Sequence, residues 1–335
     1  MISGHGDDRY RYEVEIKHNF SSNVYYQGCP PALLTMISDV IHNIENYPSP
    51  AAEELNEAAA RKFQLNPNQF LFTNGATEAF YLIAQLFSGT SAAILAPTFS
   101  EYEDACRIHG VNFEIVTRAA LKPGNHELVI ICNPNNPNGS FFPTKELVEL
   151  IGNTPDTTFV IDEAYIEFTV QVTSIMPFVN QFNNLIVVRS LTKTFAIPGL
   201  RLGYLVSSST VVQQLLANKM PWSVNALAIK AGLEIFEHYD QWHFDVHQLL
   251  AETREFVSML STISWLKVKR SHTSYFLVEL LERKASDLKD YLAIEHGILI
   301  RDATNFKLLD GENIRLATQS PEANASLIKA LQSWK

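Results

Sequence analysis

A chain of 335 residues exceeds what one small core organises, because globular domains hold about 100–200 residues, so a large and a small domain are expected. Its 46% hydrophobic and 19% charged residues describe an ordinary globular protein, and the net charge of −10 excludes the dense Lys/Arg surface that nucleic acid or an anionic membrane demands. Cys29, Cys106 and Cys132 lack C-x-x-C spacing, so neither a disulfide framework nor a metal site is expected; without an apolar leader or a membrane-length apolar run, the expected location is cytoplasmic.

From about Gln69 short apolar runs alternate with helical patterns, which predicts an α/β fold with a mostly parallel central sheet flanked by helices. The runs fall at 70–72, 93–96, 113–116, 128–131, 159–161, 185–188 and 204–206, and after Gly75 a helix is marked by Ala79, Ile83, Leu86 and Phe87. Helical spacing over 211–219 and 225–238 follows. From Phe244 the pattern becomes one long helix, a strand at 274–278, a helix, and strands at 298–300 and 314–316, a smaller α+β domain. Tyr47-Pro48-Ser49-Pro50 reads as a turn.

Open parallel sheets bind ligands at the carboxyl ends of their strands. The residues there are Gly75-Ala76-Thr77, Phe99, Asn136, Asp162 with Tyr165, and Ser190 with Lys193, too many polar and aromatic groups for packing alone. The segment Ser190-Leu191-Thr192-Lys193-Thr194-Phe195-Ala196-Ile197-Pro198-Gly199-Leu200-Arg201 places a lysine after a strand-end hydroxyl and an arginine in a Gly-flanked stretch. It resembles the cofactor lysine and phosphate-binding arginine of the fold-type-I pyridoxal-phosphate enzymes.

That resemblance implies pyridoxal 5'-phosphate held as an imine on Lys193, a bond closed to an arginine, which keeps its proton. Asp162 would keep the pyridine nitrogen protonated, so that the ring accepts electrons. Tyr165 and Asn136 would bond the ring oxygen, and Phe99 would stack on the ring. Gly75, Ala76, Thr77, Ser190, Thr192 and Arg201 would hold the phosphate at a helix start, joined by Tyr47 from the second subunit of a homodimer. Taken alone, Asp162 equally suits a helix N-cap, Gly75-Ala76-Thr77 a plain turn and Phe99 the core. The implied division is an N-terminal arm belonging to the small domain at 1–35, a large cofactor-binding domain at 36–240 and a C-terminal small domain at 241–335.

Over nearly the whole chain, Gly4-His5-Gly6, Phe20-Ser21-Ser22-Asn23, the stretches 189–206 and 220–228, and Ile298-Leu299-Ile300-Arg301 resemble the threonine-phosphate decarboxylase family of cobalamin biosynthesis. The implied reaction turns L-threonine O-3-phosphate into (R)-1-amino-2-propanol O-2-phosphate and CO2. Arg315, in an apolar strand pattern, matches the arginine that grips a substrate carboxylate, and a buried arginine calls for an anionic partner. The substrate phosphate would be held by some combination of His5, Asn23, Arg301 and Arg315. The same scaffold serves aminotransferases of histidinol phosphate and other amino acids, since only the Cα bond perpendicular to the ring breaks. A non-catalytic cofactor-sensing protein is a further alternative. Three places depart from the pattern: Asp7 stands where glycine is common, Tyr25-Tyr26-Gln27 where Asn-Pro-Leu is usual, and Asn138 where threonine is.

Overall fold

The computed structural model describes residues 6–334. Its strands are β1 (His18–Asn19), β2 (Phe70–Asn74), β3 (Ser91–Leu95), β4 (Asn112–Val116), β5 (Leu128–Cys132), β6 (Thr158–Asp162), β7 (Leu185–Ser190), β8 (Leu202–Val206), β9 (Leu266–Val268), β10 (Tyr275–Leu280), β11 (Ile298–Leu299), β12 (Arg301–Asp302) and β13 (Asn313–Ala317). The helices are α1 (Pro31–Asp39), α2 (Glu53–Phe63), α3 (Gly75–Leu86), α4 (Glu101–Ile108), α5 (Thr144–Gly152), α6 (Leu191–Thr194), α7 (Ser209–Leu216), α8 (Ala226–Glu237), α9 (Val246–Leu260), α10 (Ala285–His296) and α11 (Pro321–Ser333).

Seven strands form the main sheet in the order β2-β8-β7-β6-β5-β3-β4. All neighbours from β7 to β4 pair in parallel, whereas β8 runs against both β7 and β2. Every residue of β5 and of β7 is buried, as expected of strands covered on both faces. Successive side chains point to opposite faces, so Val129, Ile131, Ile161 and Val187 join one apolar core with α1, α2 and α8, while Ile130, Val160, Ile186 and Val188 join another with α3, α4 and α7. This alternation sets the register, because a one-residue slip would exchange the two cores. With β2 parallel to β7, the carboxyl ends of β2, β3, β5, β6 and β7 lie along one edge, at Asn74, Leu95, Cys132, Asp162 and Ser190.

A second, four-stranded sheet, β12-β13-β10-β9, is antiparallel and packs against α9, α10 and α11 through Phe256, Leu288, Leu292, Leu327 and Leu331. Phe20 enters the same core. The single strand expected at 298–300 is corrected to two: Ile298 and Leu299 pair in parallel with His18 and Asn19, then Arg301 and Asp302 pair with β13. The backbone of the N-terminal segment captures the first two residues before the chain reaches the second sheet. Helices α1 and α2 were not foreseen; the buried side of α2 is mostly alanine, Ala58, Ala59 and Ala60 around Leu55, which gives a weak apolar signal. Among the described residues no helix is long and apolar enough to cross a membrane.

Candidate active site

At the end of β2 the chain turns into α3 at Gly75, whose φ is +72°. A Cβ there would stand 2.4 Å from Arg201 Nη2, so the guanidinium lies directly over the first turn of the helix. A Cβ on Gly203 would come within 2.5 Å of the Ala76 backbone nitrogen, so β8 too needs glycine to approach the turn. Arg201 is itself left-handed, at φ +57°, and its Nη1 donates to the Pro198 carbonyl at 3.0 Å. Ser190 and Thr192, both buried, share a hydrogen bond of 2.8 Å between their hydroxyls beside it. Free N–H groups at a helix start, two hydroxyls and a guanidinium make a cup for an anion.

The cup continues into a cavity of about 100 Å³ lined by Thr77, Phe99, Asn136, Asp162, Tyr165 and Lys193, among others. Lys193, on α6, has its amine pulled down to about 8, first by burial and then by the positive fields of Arg315 and Arg201. Asp162, 4% exposed, is pushed up to about 6 by burial, against the opposing pull of its hydrogen bonds. The Tyr102 hydroxyl donates to Asp162 Oδ2, and the Ala164 N–H donates to Oδ1 at 2.9 Å. Asp162 therefore supports the local turn, but no helix begins directly after it, so it is not an N-cap, and its carboxylate lines the cavity. Phe99 meets Tyr102 edge-on, centroids 5.7 Å apart, and also lines the cavity rather than sinking into the core.

Outward lies a cleft of about 250 Å³ that shares Thr77, Phe99, Asn136, Tyr165, Lys193 and Arg201 with the inner cavity. Arg301 and Arg315 face one another across the β12–β13 pair and are each 6% exposed. Arg315 donates to Asn136 Oδ1 and to the Ser21 carbonyl, each at 2.5 Å, while its Nε is buried without a partner. No carboxylate lies within ion-pair distance of it among the described residues. Burial and the Arg315 charge weigh against the charge of Arg301, pulling its pKa to about 10. Asn23, 4% exposed, approaches the Tyr165 hydroxyl, but neither of its amide atoms reaches hydrogen-bond geometry. The cleft thus concentrates positive charge in an acidic protein, and its orphaned polar atoms point to a polar ligand.

The family model for aminotransferase class I and II matches residues 15–331. The chain belongs to the class I and II aminotransferase family. The histidinol-phosphate aminotransferase of Caldanaerobacter subterraneus is 32% identical over 96% of this chain and 95% of its own length. The threonine-phosphate decarboxylase of Salmonella typhimurium is 32% identical over 94% of this chain and 90% of its own. The crystal structure of L-threonine-O-3-phosphate decarboxylase from Porphyromonas gingivalis superposes with a TM-score of 0.91 at 36% identity, covering 94% of this chain and 98% of that one.

As a member of this aminotransferase-like family the chain is a fold-type-I enzyme dependent on pyridoxal 5'-phosphate. The residues present fit that group: an anion cup whose clearance a Cβ would fill, an amine able to react near neutral pH, and a buried carboxylate within the same cavity. The structure brings together Ala76, Thr77, Phe99, Asn136, Asp162, Tyr165, Ser190, Thr192, Lys193 and Arg201 around the inner cavity, with Gly75 at the turn beneath Arg201. Asn23, Arg301 and Arg315 line the outer cleft. Tyr47 does not join them: it stands 85% exposed on the surface, its ring 5.3 Å from that of Trp222. His5 lies outside the described residues.

Sequence reasoning missed Tyr102, Glu103 and Lys307. Tyr102 follows Phe99 by three residues, but its partner Asp162 lies 60 residues further along the chain, so no local pattern pointed to it. Arg189 was noted only as part of a matching stretch; it is buried and pairs with Glu163 at 3.1 Å and with Glu167, which also receives the Tyr239 hydroxyl at 3.0 Å. This network ties the end of β6 to β7 behind Lys193. The departures from the family pattern divide in two. Tyr25 stacks on Phe244 at 4.4 Å, just before α9, and Tyr26 donates to Glu252 of α9 at 2.8 Å, whereas Asn138 Oδ1 organises its own loop through Asn135 and Ser140. Asp7 alone lines the cleft, held by Asn19 Nδ2 at 2.6 Å and by Arg9.

Proposed function

We propose that the chain decarboxylates L-threonine O-3-phosphate to (R)-1-amino-2-propanol O-2-phosphate and CO2, in the service of cobalamin synthesis. The observation that carries this reading is the pair of buried arginines, Arg301 and Arg315, opening onto Lys193 with no carboxylate against Arg315 among the described residues. Two arginines can take two anionic groups of one substrate, a carboxylate and a phosphate, in two-pronged hydrogen bonds. The similarity to the Porphyromonas gingivalis decarboxylase supports it.

When bound, the cofactor ring supplies an electron sink for the bond broken at the substrate's Cα. In this reading Asp162 holds a proton on the ring nitrogen, Tyr165 and Asn136 position the ring oxygen, and Phe99 covers one face. Gly75, Ala76, Thr77, Ser190, Thr192 and Arg201 hold the phosphate, joined by Tyr47 from the second subunit of a homodimer. Lys193 is the covalent anchor, and its amine, lowered to about 8, can hold the proton that Cα receives after CO2 departs. Arg301, Arg315 and Asn23, joined by His5, would hold the carboxylate and phosphate of the substrate and so decide which bond at Cα is presented for cleavage. Burial of that carboxylate aids its loss by removing the water that stabilises its charge.

The same cleft suits transamination of histidinol phosphate, a reading favoured by the 32% identity to the Caldanaerobacter enzyme. Incubating purified protein with L-threonine O-3-phosphate while following CO2 and keto acid separates the two. CO2 without keto acid is the expected result, and keto acid without CO2 would transfer the chain to the aminotransferases.

A further inference from the structure

Glu103 on α4 and Lys307 in the loop after β12 meet across the mouth of the outer cleft, Lys307 Nζ lying 2.7 Å from Glu103 Oε2. They come from opposite walls, one from a helix packed on the main sheet and the other from the second sheet. The lysine side chain is 54% exposed and the glutamate 13%, so the cation is the mobile partner. Glu103 also lies 3.8 Å from Arg107, and therefore keeps a counter-charge if Lys307 swings away. Deeper in the same cleft the arginines cannot move so freely: Arg315 is fixed by Asn136 and the Ser21 carbonyl, and Arg301 donates to Asn305 Oδ1 at 2.7 Å. Arg315 Nε still lacks a partner.

A half-exposed ion pair is weakly held, because water and salt screen it. A phosphate monoester carries nearly two charges and three acceptor oxygens, more than one fixed arginine neutralises once the other takes the carboxylate, and it would sit in a cleft less screened than the rim. Resting on the reading that the substrate is phosphorylated, we infer that Lys307 is a further ligand of the substrate's distal phosphate, kept by Glu103 until the anion arrives and then exchanged. Glu103 is a positioning residue in this scheme.

The test is calorimetric titration of inorganic phosphate into the cofactor-loaded enzyme, where the cofactor fills the inner cup and the titrated anion reports the outer cleft. Lys307→Met is expected to weaken phosphate binding about two- to fivefold, and Glu103→Gln to tighten it by a similar factor. The double variant is expected to match Lys307→Met, because Glu103 acts through the lysine. The exchange is overturned if both single variants weaken binding, which would make the pair a mere brace. It is equally overturned if Glu103→Gln tightens binding as much without Lys307 as with it, since the glutamate would then act by its own field. An unchanged Lys307→Met sinks this contact alone. A wild-type enzyme that takes up no phosphate sinks the phosphorylated-substrate reading along with it.

Discussion

Asp162 carries its charge at a cost that pH can reveal. Its acid is raised from 3.8 to about 6 because burial disfavours the ionised form, which corresponds to about 3 kcal/mol. The unfolded chain releases this proton near 3.8 and the folded one near 6, so the penalty is absent below 3.8, grows between the two values and is full above 6. Cofactor-free Asp162→Asn is therefore expected to melt higher than the cofactor-free wild type above pH 6, with the advantage fading toward pH 4 in thermal scans. For Lys193 the burial cost falls on the cation. Its neutral, nucleophilic form gains ground from about pH 8 instead of 10.5, so covalent capture of added cofactor should accelerate through about pH 8 in stopped-flow measurements. An inflection near 10.5 would contradict the burial assigned to this amine. The Asp162 motif and the Lys193 segment were legible because each sits at the end of a continuous apolar run. Tyr102 was not, since its partner in space lies 60 residues away.

At the scale of elements, the anion cup exists because two glycines let a helix start, a strand and an arginine occupy nearly the same place. Gly75 and Gly28 both have positive φ, +72° and +86°, but only the former has a neighbour that a Cβ would strike. Gly75→Ala and Gly28→Ala should each lose about 1–3 kcal/mol of unfolding free energy in denaturant titrations. Cofactor affinity should fall only in Gly75→Ala, because only that methyl displaces Arg201. Equal loss of affinity in both variants would mean that the turn matters for stability and not for the cup. The strand runs themselves were readable from apolar content. The direction of β8 was not: its five residues are all buried, like those of β5 and β7, which run the other way, and nothing in such a pattern records which way a strand points.

Across the whole molecule, Tyr47 and Trp222 pack together while both are exposed, and Leu34, Ile41, Ile44 and Met220, near one or the other in the chain, are exposed as well, which makes this face a candidate for burial. If this face joins two copies, and Tyr47 completes the partner's phosphate cup, subunits damaged at different places should repair each other. Lys193→Ala and Tyr47→Ala homodimers are both expected to be impaired at low cofactor concentration. Mixing them under exchange should restore about a quarter of the wild-type rate, as half the dimers then hold one intact site of two. No recovery, with mixed dimers demonstrated, would leave Tyr47 a surface residue.

By itself the sequence determined the strand runs of the main sheet and the placing of Asp162 and Lys193 at strand ends with Arg201 close behind, because those features depend on residues close together in the chain. Only the tertiary structure decided what spans the cleft. Arg315 meets Asn136 from 179 residues away, Arg301 comes to face Arg315 through a strand pairing, and Lys307 reaches Glu103 from the opposite wall. Such contacts follow from how the two sheets pack, and neither partner carries a local pattern that names the other.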